Sequence, residues 1–252
     1  MKHLVFLVFL MPLALFGQTN ESDSLKTEAG LSVTGMFQGG NVQTVIFRTK
    51  TELSFTTFNN WVLKTVNSYV YQAFGGVKAD QDLLSLNFLY FQPQKRIYPQ
   101  LIGIATTNFR REIALRYLVG TGITFQVLEQ KDAWLKISLS SEYEETEFRR
   151  SQFNLEEYNG SNDINTFRAT LWVNGKYKLY DKRITLSHES YIQPSLNKSN
   201  NYRWQADLGL ELMLTKRFNF KINYLSTYES IVIEGQKQND RLLTFGLSVK
   251  SY

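Results

Sequence analysis

Apolar and polar residues alternate along most of this chain with a period of two. From Tyr202 to Leu214 one parity reads Tyr202, Trp204, Ala206, Leu208, Leu210, Leu212, Leu214. The other reads Arg203, Gln205, Asp207, Gly209, Glu211, Met213. A helix would mix the two sets on every face, whereas an extended strand sends them to opposite sides. The pattern returns at 218–228, with Phe218, Phe220, Ile222 and Tyr224 set against Asn219, Lys221 and Asn223. At 166–179 it sets Phe167, Ala169, Leu171, Val173, Tyr177 and Leu179 against Arg168, Thr170, Asn174, Lys176 and Lys178. It also runs through Leu115, Tyr117, Val119, Ile123, Phe125 and Val127. In Leu135, Ile137, Leu139 and Tyr143 it is spaced by Lys136, Ser138, Ser140 and Glu142.

The length of these segments decides what kind of β protein they build. Strands in soluble sandwiches usually run about 5–6 residues, while a strand crossing a bilayer at a tilt needs about 9–11. The alternation predicts strands at 27–39, 42–58, 61–74, 82–91, 97–109, 114–128, 133–147, 164–179, 184–194, 202–214, 218–229 and 241–252. Short polar turns at Asn59-Asn60, Pro93–Arg96, Gln130–Asp132, Asp181–Arg183 and Lys216-Arg217 alternate with other breaks. Of these, Gly75–Asp82, Arg149–Asp163, Ser195–Asn201 and Ser230–Asp240 are long; Gly39–Asn41 and Arg110–Glu112 are shorter. Such alternation fits short periplasmic turns and longer extracellular loops, with apolar parities facing lipid. Trp61, Tyr90, Tyr98, Trp134, Tyr180 and Phe218 lie beside the short turns. Phe37, Tyr71, Phe109, Phe148, Phe167, Tyr202 and Tyr228 lie near the long loops. The two sets are expected to form interfacial aromatic belts.

The first residues follow a different rule. Lys2 and His3 precede an unbroken apolar run from Leu4 to Phe16, then Gly17 and a polar stretch. That is the form of a secretory signal peptide, and the run is shorter than the ~17–25 residues a spanning helix needs. The expected organisation is a signal peptide at 1–17, a short periplasmic segment at 18–26, and one barrel domain over 27–252. The chain has no cysteine, which excludes disulfide scaffolds, thiolate metal sites and thiol nucleophiles. With His3 in the signal peptide, His188 is the one imidazole left, so no multi-histidine metal site is expected. The pI of 9.2 comes from lysines and arginines spread without a patch, and no nucleic-acid binding is expected.

Several short stretches carry a family resemblance: Gly35–Asn41, Gly120-Thr121-Gly122, Ser190–Ser195, Asn201-Tyr202-Arg203 and Asn239–Leu247. They resemble a domain-of-unknown-function family of Gram-negative outer-membrane proteins that includes the salt-induced outer-membrane protein. The resemblance spans nearly all of the chain after the leader and implies an outer-membrane β-barrel. It brings no established catalytic or ligand-binding residues. Members usually end in phenylalanine, whereas this chain ends in Tyr252.

Two groups of residues bear candidate chemistry. His188 and Ser190 share the parity of Ile184, Leu186 and Ile192, the face expected to meet lipid. Residues i and i+2 of a strand project to one side, where an imidazole can take a serine proton. The pair looks like the His-x-Ser of outer-membrane phospholipase, but Tyr191 and Ile192 stand where that family has Asn-Gly. The inward parity carries the second group: Arg48, Lys50, Lys64, Arg116, Lys136, Arg168, Lys176, Lys178, Arg203 and Lys221 against Glu52, Glu142, Glu144, Glu189, Asp207 and Glu211. On the lipid face a lysine or arginine at mid-membrane would cost about 2–4 kcal/mol, so their shared parity supports a barrel with a polar lumen. They are expected either to line an aqueous path or to pair and fill the interior.

The expectation is therefore an all-β, antiparallel transmembrane β-barrel of about twelve strands in a Gram-negative outer membrane. Its role is expected to be non-enzymatic, structural or passive-transport, with a mostly filled lumen or narrow pore. No cofactor and no metal is expected. The partners are outer-membrane lipids, lipopolysaccharide and, during biogenesis, the barrel-assembly machinery. Two alternatives stay open: a lipid hydrolase using Ser190 and His188, and a secreted soluble β-barrel binding an apolar ligand.

Overall fold

The computed structural model describes residues 27–39, 43–57, 60–215 and 218–249. The expected signal peptide, the segment 18–26 and Tyr252 lie outside them. Twelve antiparallel strands follow one another, each hydrogen-bonded to its neighbours in chain order. They are β1 (Thr27–Gln38), β2 (Thr44–Thr56), β3 (Trp61–Phe74), β4 (Val77–Phe91), β5 (Ile97–Asn108) and β6 (Ile113–Gln130). Then come β7 (Ala133–Phe148), β8 (Asp163–Leu179), β9 (Ile184–Pro194), β10 (Tyr202–Met213), β11 (Phe218–Glu229) and β12 (Asn239–Val249). One break predicted from the sequence is absent. Where Gly75–Asp82 was expected to be a loop, β3 and β4 join at a two-residue turn, with Gly75 at φ 58° and Gly76 at φ 77°. Two adjacent glycines take these left-handed angles without a Cβ clash, so the hairpin closes tightly.

The sheet is rolled. Neighbouring strands lie about 4.8 Å apart, so in a flat sheet β6 and β11 would be separated by about 24 Å. Arg116 on β6 instead meets Glu229 on β11 at 2.9 Å. Likewise, Phe88 on β4 sits edge-on to Trp172 on β8 with ring centroids 6.4 Å apart. These contacts cross a barrel interior. The described ladders run from β1 to β12.

The two parities separate as the alternation requires. Outward, Val119 is 61% exposed and Leu139 54%. Inward, Lys136 and Glu144 are each 1% exposed. Large apolar side chains outside and buried charges inside reverse the arrangement of a soluble protein. Four expected belt residues are corrected by this geometry. Trp134 shares the inward parity of Lys136, whose ammonium lies against its ring. Tyr90, Tyr98 and Phe148 are buried. Tyr90 and Tyr98 share the inward parity of Val62 and pack with it, while Phe148 packs under a loop. Tyr180, Phe167 and Tyr202 do face out; the side chains of Phe37 and Phe218 lie outside the described residues.

Two glycines let β6 and β7 approach closely. A Cβ on Gly120 would lie 2.2 Å from the Ser141 carbonyl oxygen, and one on Gly122 would lie 2.6 Å from that of Leu139. Neither obstacle is the free end of a side chain, so the backbone would have to move. Gly120→Ala is expected to destabilise the barrel by about 1–3 kcal/mol, the usual cost of overpacking. A lower midpoint in thermal unfolding of the detergent-solubilised protein is the readout.

Candidate functional site

Arginines from β6, β8 and β10 converge on one carboxylate of β7. Glu144 on β7 stands opposite Leu118 of β6 and Thr166 of β8. Its diagonal inward neighbours are Arg116, which faces Thr146, and Arg168, which faces Glu142. Diagonal pairs lie within reach of long side chains. Arg168 donates to Glu144 through Nε at 2.8 Å and Nη2 at 2.9 Å. Arg203, two strands further on, donates from Nη2 at 2.5 Å. The Arg116 Nε lies 3.8 Å away. Arg116 also forms a two-pronged pair with Glu229, both contacts at 2.9 Å, and donates to the Thr146 hydroxyl. Planar guanidinium groups match carboxylates in this fork geometry.

Polar neighbours extend the network. Arg203 donates to Gln193, Gln193 to Thr170, and Thr170 to Glu142, which also accepts from Ser140. Arg168 reaches the Gln193 carbonyl and Asn201 as well. At the rim Arg111 pairs with Asp240 at 2.7 Å, tying the β5–β6 turn to β12. Charges taken out of water are tolerated when Coulomb attraction and hydrogen bonds both compensate them; Glu144 and Glu229 receive both, while the Nη1 groups of Arg111 and Arg203 are buried without a hydrogen-bond partner.

Above this layer two loops are bound to each other. Residues 149–162 and 230–238 pair through a bridge between Phe153 and Ile233. The Asn154 side chain accepts from the Val232 amide and donates to the Ser230 carbonyl, each at 2.9 Å. The amide thus imitates a strand's backbone. Beneath the bridge Ile113, Phe148, Phe153, Ile231 and Ile233 form an apolar cluster with Leu155, Tyr158 and Ile164 packed around it. Between this cap and the charge layer the free space is about 10 Å³, room for about one water molecule.

Toward the short turns the interior is aromatic. Trp172 stacks obliquely on Tyr191 and meets Phe88, while Phe88, Tyr90 and Tyr98 pack in series. The Lys136 ammonium lies 5.8 Å from the Tyr98 ring and 5.4 Å from the Trp134 ring, close enough for cation–π attraction.

Of the inward charges expected from parity, Arg116, Glu142, Glu144, Arg168 and Arg203 come together. Asp207 accepts from Asn223, and Glu211 meets Lys221 at 3.8 Å on the β10–β11 wall, apart from that cluster. Lys50 lies on β2, Lys64 on β3, Lys176 and Lys178 on β8, and Glu189 on β9; the side chains of Arg48 and Glu52 lie outside the described residues. Arg111, Glu229 and Asp240 were not anticipated. Glu229 shares the parity of Lys221 and was legible on that ground, but Arg111 lies in a turn, where parity gives no direction. His188 and Ser190 do share the outer face. The His188 Nε2 lies 3.3 Å from the Tyr177 hydroxyl, and the two rings stack at 5.9 Å. Among the described residues no hydrogen bond joins His188 to Ser190.

Residues 27–250 match the family model described as "Protein of unknown function, DUF481", and the chain belongs to that family. No curated protein matches it. Among solved structures it is similar to one titled as a NanC porin, with a TM-score of 0.51 and 12% identity. The match covers 89% of this chain and 99% of that one. At this identity the likeness concerns the fold, and it agrees with the rolled antiparallel sheet.

Replacing the shared carboxylate tests the charge layer. Glu144→Ala strands Arg168 and Arg203 in a dry interior, and breaking such a buried set costs about 3–5 kcal/mol. The expected result is a marked drop in the thermal midpoint of the purified barrel. Glu211→Ala, at the partly exposed pair with Lys221, should shift it far less.

Proposed function

We propose that this member of the DUF481 family is a non-enzymatic β-barrel of a Gram-negative outer membrane, with a narrow lumen that is closed at rest. The observation that carries this reading is the contact of Arg116 with Glu229, five strands away around the wall, and of Arg203 with Glu144. Side chains that join opposite walls occupy the cross-section through which a solute would pass. The bound loops above and the aromatic layer below add to the obstruction. A barrel of about twelve strands lies between filled eight-stranded and open sixteen-stranded ones, so the side chains decide its conductance.

The role is then structural or one of restricted passive transport. The protein is exported by a cleaved signal peptide, inserted by the barrel-assembly machinery, and surrounded by outer-membrane lipid and lipopolysaccharide. The outward apolar face, with Leu101, Val119, Leu139 and Leu208 well exposed, supports this environment. Catalysis is not part of the proposal: the His188 ring is engaged by Tyr177, and Ser190→Ala should leave any lipid-ester hydrolysis at background.

Planar-bilayer recordings test the closed lumen. The unmodified protein should show low conductance with a slight preference for anions, because inward basic residues outnumber acidic ones. Arg203→Ala removes a side chain that spans the lumen and should raise conductance while lowering the unfolding temperature. Large, steady currents from the unmodified protein would show that the charges line an open channel.

A further inference from the structure

The outward face breaks its own rule at one place. On β3, β4 and β5 two neighbouring rows are polar or small: Asn67, Ser85 and Ala105 in one, Thr65, Asn87 and Gly103 in the next. Thr51 of β2 extends the first row. Their parity is that of Leu83 and Leu101, which are 49% and 50% exposed, so the rows face outward. Apolar rows flank them, Leu63–Leu89–Leu101 toward the short turns and Tyr69–Leu83 toward the other end. The patch therefore sits near mid-strand, where a bilayer is driest. The inward face behind it is reversed as well, with Leu84, Leu86, Phe88, Ile102 and Ile104.

We propose that this seam is an interface between two copies of the chain, side by side in the membrane. The proposal rests on the reading that the outward face lies in lipid. A carboxamide has two donors and an acceptor with two lone pairs. Asn67 donates to the Thr65 hydroxyl at 3.1 Å, and Asn87 donates to the Ser85 hydroxyl at 3.0 Å and the Gly103 carbonyl at 3.4 Å. Each amide can make further bonds, and lipid supplies none. A second copy supplies them, because carboxamides are complementary to each other and a two-fold contact sets like against like. Gly103 and Ala105 lower the surface beside the amides, as small residues do where membrane segments approach closely. The seam is uncharged, so two copies meet without repulsion.

The absence of native cysteine makes the test clean. Ser85→Cys sits in the seam and Leu208→Cys on the far wall, and each is reconstituted as the full chain in phosphatidylcholine vesicles. A short bis-maleimide should link Ser85→Cys into two-chain species and leave Leu208→Cys as single chains. The double substitution Asn67→Leu, Asn87→Leu should convert the two-chain particle in detergent to one chain by light scattering, while its heat-modifiable band persists. A protein that inserts and is heat-modifiable but is single-chain in vesicles, or that links equally from both walls, overturns the interface alone. A chain that does not insert overturns the membrane reading and the interface with it.

Discussion

In the proposed bilayer setting a backbone amide or carbonyl has no water to fall back on, and that constraint accounts for most of this structure. Twelve strands, each paired to the next, satisfy the groups within the sheet, and rolling brings strands that are distant in the order together. Rolling then creates a second problem. The inward parity is confined to the barrel interior, where several of its charges are buried. The charges must pair across it, and the contacts of Arg116 with Glu229 and of Arg203 with Glu144 are the result.

Pairing across the lumen couples strands that are distant around the wall. Glu144 receives arginines from β8 and β10, and Glu229 on β11 receives one from β6. Removing Glu144 leaves cations that cannot easily find water, whereas removing Glu211 leaves Lys221, which is half exposed and can. The network on which the proposed closure rests therefore also braces the wall. The paired loops add an apolar cap formed from residues with no place in the lipid-facing pattern.

The polar seam on β3–β5 marks where the inside-out rule gives way. Its apolar reverse side belongs to the part of the interior filled by Phe88 and Trp172, so the reversal serves packing within as well as exposure without. A wall whose two faces exchange character is costly against lipid and inexpensive against another polar wall.

Alternation alone determined that the chain is all-β, where most strands lie, and which side of each is apolar, because side chains on a strand must alternate. The inward placement of Arg116, Glu144, Arg168 and Arg203 was legible for the same reason. Other features were not. The Gly75-Gly76 hairpin depends on two backbone angles that a count of turn-forming residues does not reveal. Tyr90 and Tyr98 sit beside a turn and resemble belt residues until register places them against Val62 inside. Parity is silent about Arg111 in its turn and about which loops bind each other. The period of a strand fixes a direction for each side chain but no distance across the barrel. Which charges meet was decided only when the sheet rolled and brought β6 to β11.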